Sequence, residues 1–159
     1  MADFFSPATL EIFGQLALAV LLGSLIGVER ELARKTAGMR TFALVALGSA
    51  LFSLISQIAF TKFLGSGFDP SRIASQVVVG IGFIGAGLIV LDRSHIKGLT
   101  TAAGLWVSAA IGMAVGYRLY SIAVFATLLT IFVLVAMWFI EHKIVKRILG
   151  SSGENEDHD

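Results

Sequence analysis

Five apolar runs, roughly Leu10–Val28, Thr41–Phe60, Ile73–Leu91, Thr101–Val115 and Leu119–Ile140, fill most of the chain and leave only short charged segments between them. A soluble core built from 159 residues cannot bury several separate runs of about 20 apolar residues, whereas a bilayer accommodates each along its whole length. The expected fold class is therefore all-α: a polytopic transmembrane bundle of about five spans. The fourth run is the short one, and its 15 or so residues at about 1.5 Å each reach only about 22 Å, so a re-entrant segment is the alternative there. Residues 1–149 read as one transmembrane domain, with Glu141–Leu149 (EHKIVKRIL) extending the fifth helix. Residues 150–159 (GSSGENEDHD) read as a disordered acidic tail, since they offer nothing to bury. The segment Met1–Thr9 carries Asp3 and no basic residue, unlike a signal peptide, so the first run is expected to remain in the protein.

Charge placement sets an expected orientation. Arg30, Arg34, Lys35 and Arg40 follow the first run, Arg93 and Lys97 the third, and Lys143, Lys146 and Arg147 the fifth. Only Lys62, Arg72 and Arg118 lie on the other side. The positive-inside rule then places the N-terminus outside and the C-terminus in the cytoplasm. Tyr117 and Tyr120 at one end of the fifth run and Trp138 near the other read as interface anchors.

The glycines carry the packing expectation. Gly80, Gly82, Gly85 and Gly87 match G-x-G-x-x-G, but they lie within an apolar run and not between a strand and a helix, so a dinucleotide loop is rejected. They read instead as sites where neighbouring helices approach the third helix. In the fourth run Thr100, Gly104, Ser108, Gly112 and Gly116 recur every fourth residue and form one small-residue ridge. The first run has a similar ridge at Gln15, Ala19, Gly23 and Gly27, leading to Glu31. Such ridges can meet within one chain or between copies, so a homo-oligomer is compatible with them. The fifth run lacks glycine and is rich in bulky residues, which makes it the expected lipid-facing helix. Gln15, Gln57 and Gln76 fall in the outer third of the first three runs, where they are placed to hydrogen-bond together.

Alternating crossings bring the charged ends of four runs to one level. Glu29, Arg30, Arg40, Thr41, Asp92, Thr100 and Thr101 are the expected functional cluster, with Glu29 and Asp92 the candidate ligands for a magnesium ion. No other cofactor is implied. Cysteine is absent, and the histidines are His95 in a loop and His142 and His158 in the tail, so no nucleophile–base pair supports an enzyme. A formal net charge of +1 supports no nucleic-acid partner. No ionisable residue sits near the middle of any run, where ion-coupled carriers usually keep one.

The strings GSLIGVERE (Gly23–Glu31), AGMRT (Ala37–Thr41), VGIGFIGAGLI (Val79–Ile89) and KGLTTAAGLWVSAAIGM (Lys97–Met113) resemble the membrane domain of the MgtC/SapB family. The resemblance spans about Leu10 to Ile140, and its motif residues here are Glu29, Arg30, Arg40, Thr41, Gly82, Gly85, Gly87, Thr100, Thr101 and Trp106, the last grouped with the packing residues. It implies a bacterial inner-membrane protein tied to magnesium homeostasis, acting as a non-enzymatic regulator of other membrane complexes, F-type ATP synthase among them. A magnesium transporter or channel is the alternative. Compared with the virulence-associated branch, the chain carries Thr100 and Val107 where Asn and Cys are usual, and no soluble domain is expected after the fifth helix. Reporter fusions after Phe68 and after Leu149 are expected to lie on opposite sides of the membrane; matching signals at both positions would overturn this topology.

Overall fold

The structure, a computed structural model, describes residues 6–60, 69, 71–92, 95–140 and 143, without the side chains of 59 and 60. The acidic tail, and the helix extension expected over Glu141–Leu149 apart from Lys143, lie outside them. Five helices follow in order: α1 (Pro7–Leu32), α2 (Met39–Phe60), α3 (Ser71–Ala86), α4 (Leu99–Gly116) and α5 (Tyr120–Ile140). Between α3 and α4 a hairpin of two short strands intervenes, β1 (Val90–Asp92) and β2 (His95–Lys97).

Local chemistry explains the ends. The Ser6 hydroxyl accepts from the Thr9 N–H at 3.2 Å and Pro7 fills the first helical position, so α1 starts there. It stops in a Schellman arrangement, with the Lys35 N–H on the Arg30 carbonyl and the Arg34 N–H on that of Glu31. Helix α4 ends the same way through Leu119 and Arg118. In both cases an arginine holds the left-handed position more often given to glycine, Arg34 at φ 52° and Arg118 at φ 63°. Asp69 opens α3 by accepting from the Ser71 hydroxyl and N–H at 2.6 and 2.9 Å. Those bonds hold its carboxyl below the usual carboxylate range.

Among the described residues, four helices are long and apolar enough to cross a membrane: Pro7–Leu32, Met39–Ile58, Leu99–Gly116 and Tyr120–Ile140. Here the structure corrects the expected lengths. The third run is the short one: α3 has 16 residues and rises about 24 Å against a hydrocarbon core of about 30 Å. Its last turn tightens, with the Leu88 and Ile89 N–H groups bonded to Gly85 and Ala86, and the residues expected to continue it to Leu91 form β1 instead. The fourth run is longer than expected because Gly98, at φ 92°, turns the chain directly into α4. A Cβ on Gly98 would also collide with the Leu88 carbonyl, so only glycine fits. The paired register Val90↔Lys97, Leu91↔Ile96 and Asp92↔His95 satisfies backbone groups that a continued helix would otherwise bond.

Helix α2 is the centre of the bundle. Added Cβ atoms at Gly23 and Gly27 of α1 would come within 2.7 Å of the Phe42 carbonyl and 2.5 Å of the Met39 Cα. On its other side, a Cβ added to Gly116 of α4 would come within 2.8 Å of the Ala50 carbonyl, and one on Gly112 would overlap the Ala46 carbonyl. Gly104 lies against the Phe42 ring, and the Ser108 hydroxyl donates to the Phe42 carbonyl at 3.0 Å. The ridges of α1 and α4 are thus both seated on α2 within one chain, where Phe42, Ala46 and Ala50 are fully buried. Helix α5 buries only Ala123 and Thr127 and leaves Phe125, Leu128 and Phe132 exposed, in keeping with a face turned to lipid.

Several packing assignments are corrected. Gly80 and Gly82 meet nothing within 4 Å of an added Cβ, and Gly87 meets only carbonyls of its own helix. Gly85 alone of the four touches a neighbouring helix, at Ala102. Trp106 is 50% exposed on the face of α4 turned away from α2, so it is not a core contact. The glutamines do not bond together: Gln15 donates to the Tyr120 hydroxyl at 2.9 Å, and Gln57 to the Gly116 carbonyl at 2.8 Å. The terminal Gly116 carbonyl of α4 draws the Gln57 amide and the Tyr120 hydroxyl draws that of Gln15, so each glutamine finds a separate partner.

Gly112→Leu is expected to destabilise the bundle by about 3 kcal/mol or more, because four heavy atoms must enter space held by backbone. Gly82→Leu should be mild, and thermal aggregation in detergent compares the two.

Candidate functional site

At the end of the bundle where α1 stops and α2 starts, the chain places its buried charge. Arg30 lies on the same face of α1 as Ile26 and Gly27, which the packing on α2 forces inward. Its guanidinium grips the carboxylate of Glu29 with both Nε and Nη2, the latter at 2.6 Å. The side chains are 4% and 17% exposed, so the ion pair is largely removed from water. A cation so placed requires its counter-charge, and Glu29 supplies it from the adjacent position.

Glu31 has a separate task that its spacing did not reveal. Its carboxylate accepts the Met39 N–H at 3.1 Å and so caps α2 across the turn. Gly38 lies close beneath it, where an added Cβ would stand 2.9 Å from that carboxylate. Glu31, Lys35, Gly38, Met39, Arg40 and Thr41 line a polar recess of about 510 Å³. Arg40 is exposed, and Thr41 is half-buried at its edge.

The expected cluster is therefore divided. Glu29 and Arg30 form one unit, and Arg40 and Thr41 belong to the recess. Asp92 sits in the hairpin, paired with Lys97 at 2.5 Å, and both are exposed. Thr100 is exposed on the first turn of α4, whereas Thr101 is buried on the face that carries Gly104 and Ser108. Magnesium ligation by Glu29 and Asp92 does not fit these residues. Each carboxylate is held by a cationic side chain, and among the described residues no three of Asp, Glu and His gather as a ligand set. Adjacency in sequence decided these pairings, since Arg30 and Lys97 reach their partners without crossing between helices.

Residues 16–143 match the model of the MgtC family. Among curated proteins, the chain is 41% identical to "Putative magnesium transporter YhiD" of Escherichia coli K12, over 95% of this chain and 84% of that protein. It is 46% identical to Protein MgtC of Brucella abortus strain 2308 over 73% of the chain, and to Protein MgtC of Salmonella typhimurium strain 14028s over 72%. The chain spans about half the length of these two MgtC proteins, 47% of each. No solved structure matches.

Breaking the buried pair from one side should cost more than removing it. Glu29→Gln is expected to destabilise by about 3 kcal/mol, since it strands a buried guanidinium, and Arg30→Met in the same chain should restore much of the loss. Thermal unfolding of the two single variants and the double variant in detergent completes the cycle.

Proposed function

The chain belongs to the MgtC family, and on that premise we propose that it is a multi-pass protein of the bacterial inner membrane that serves magnesium homeostasis by acting on another membrane complex, without catalysis. The observation that carries this reading is the closure of the α1–α2–α4 core. Its helices meet at backbone distance along α2 from Met39 to Ala50, with Gly23, Gly27, Gly112 and Gly116 each facing a carbonyl or Cα of the neighbour. A cation that keeps much of its hydration shell has no room between such helices. What the chain does offer is outward: a charged recess at one end, an exposed hairpin, and long apolar faces on α3 and α5. These are means of contact with other membrane proteins. F-type ATP synthase is the candidate complex that the family resemblance implies.

Magnesium transport is the second reading, drawn from the name of the Escherichia coli relative, which aligns with nearly the whole chain. The two readings separate in one measurement. Full-length protein in liposomes loaded with a magnesium-sensitive dye is expected to give no more magnesium entry than protein-free liposomes. Entry that saturates with magnesium, and that weakens in Glu29→Gln or Asp92→Asn, would overturn the regulatory reading and establish the transporter.

A further inference from the structure

An open apolar groove of about 1080 Å³ lies between helices α2 and α3. Thr41, Leu44, Gly48, Phe52 and Ile55 line one wall, and Ile73, Gln76, Gly80, Phe83 and Ile84 the other. Gly48 and Gly80 face it with nothing within 4 Å of an added Cβ, unlike the glycines of α1 and α4 that face α2. Phe83 projects from its lip, 85% exposed. Gln76 is also exposed, and makes no hydrogen bond among the described residues.

We propose that the occupant of this groove is α3 of a second copy of the chain, forming a two-fold dimer in which Gln76 pairs with Gln76. The amide identifies the partner. A glutamine facing hydrocarbon loses its hydrogen bonds to water, and an acyl chain offers none in return. A carboxamide is self-complementary: the N–H of each donates to the carbonyl of the other. A two-fold axis along the membrane normal sets the two α3 helices parallel and at equal depth, which brings the two amides to one level. Each α3 then enters the groove of the other copy, against the bare backbone at Gly48 and Gly80, with position 83 at the lip. The short α3 is suited to this place, since it contacts α4 through Gly85 and leaves its other side free.

The chain has no cysteine, so one introduced thiol can cross-link only between copies. Full-length Phe83→Cys protein in liposomes at high lipid excess, treated with a short bifunctional maleimide, is expected to give a covalent dimer. Phe125→Cys on α5, 67% exposed, is the collision control and should not. Adding Gln76→Leu, Gly48→Leu or Gly80→Leu should lower the yield at position 83 to that control, while leaving the melting of the single chain unchanged, since nothing lies against either glycine. Counting fluorophore bleaching steps on the wild-type chain should give two copies per particle. A yield at position 83 no greater than at 125, a yield insensitive to all three leucines, or one copy per particle would each overturn the dimer and leave the groove to lipid or to another protein's helix.

Discussion

Neither Gly23 of α1 nor Gly112 of α4 has room for a side chain against α2 at the level of Phe42 and Ala46, and the placement of everything else follows from that exclusion. The Phe42 carbonyl is approached by Gly23 from α1 and receives the Ser108 hydroxyl from α4. Ala46 meets Gly23 and Gly112. In a membrane, where lipid tails compete equally for apolar side chains, such close approach supplies the packing energy that a hydrophobic core supplies in water. With three helices held at that distance, the ends of α1 and α4 are fixed as well. Arg30 is turned inward, and the terminal carbonyls of α4 come within reach of Gln15 and Gln57.

The buried ion pair is a consequence of this geometry, and a costly one. Sequestering a guanidinium beside Ile26 and Gly27 removes it from water, and the bidentate grip on Glu29 offsets that loss only while both partners remain. Glu31, two residues on, points into the turn and caps α2. Three consecutive charged residues therefore serve two structural tasks, pairing and capping. The net positive charge of the recess is left to Lys35 and Arg40, both exposed.

Much of this was legible in the sequence, for a physical reason. Backbone contact between helices demands small residues every fourth position, and the rows at Gly23 and Gly27 and at Gly104, Ser108, Gly112 and Gly116 carry that period openly. The third run misled because glycine records permission to approach and not the approach itself: Gly85 is met by Ala102, whereas Gly80 and Gly82 are met by nothing among the described residues. The hairpin was hidden because Leu88–Leu91 is as apolar as a helix, and its turn out of α3 depends on Gly98, ten residues away. The cluster of charges was legible as a level, not as a set of contacts. Level follows from counting crossings, but the choice of partner follows from reach, and short reach favours neighbours such as Glu29 with Arg30 and Asp92 with Lys97.

The bundle accordingly has two mechanical grades. Helices α1, α2 and α4 share carbonyl-level contacts that admit no sliding without steric overlap, so they form a single rigid unit. Helix α3 touches that unit through side chains such as Ile81 and Ala102, and α5 buries only Ala123 and Thr127 against it. Local stability tracks buried contact, so rearrangement on binding another membrane protein belongs to α3, the hairpin and α5. The recess rides on the rigid unit, since α1 and α2 form its walls. A partner that engages the recess therefore meets a charge pattern set on the closely packed helices, whereas one that engages the groove meets α3, the wall with fewer such contacts. Because α3 leads directly into β1 and β2, only the few residues between Ala86 and Val90 separate that wall from the hairpin that carries Asp92 and Lys97.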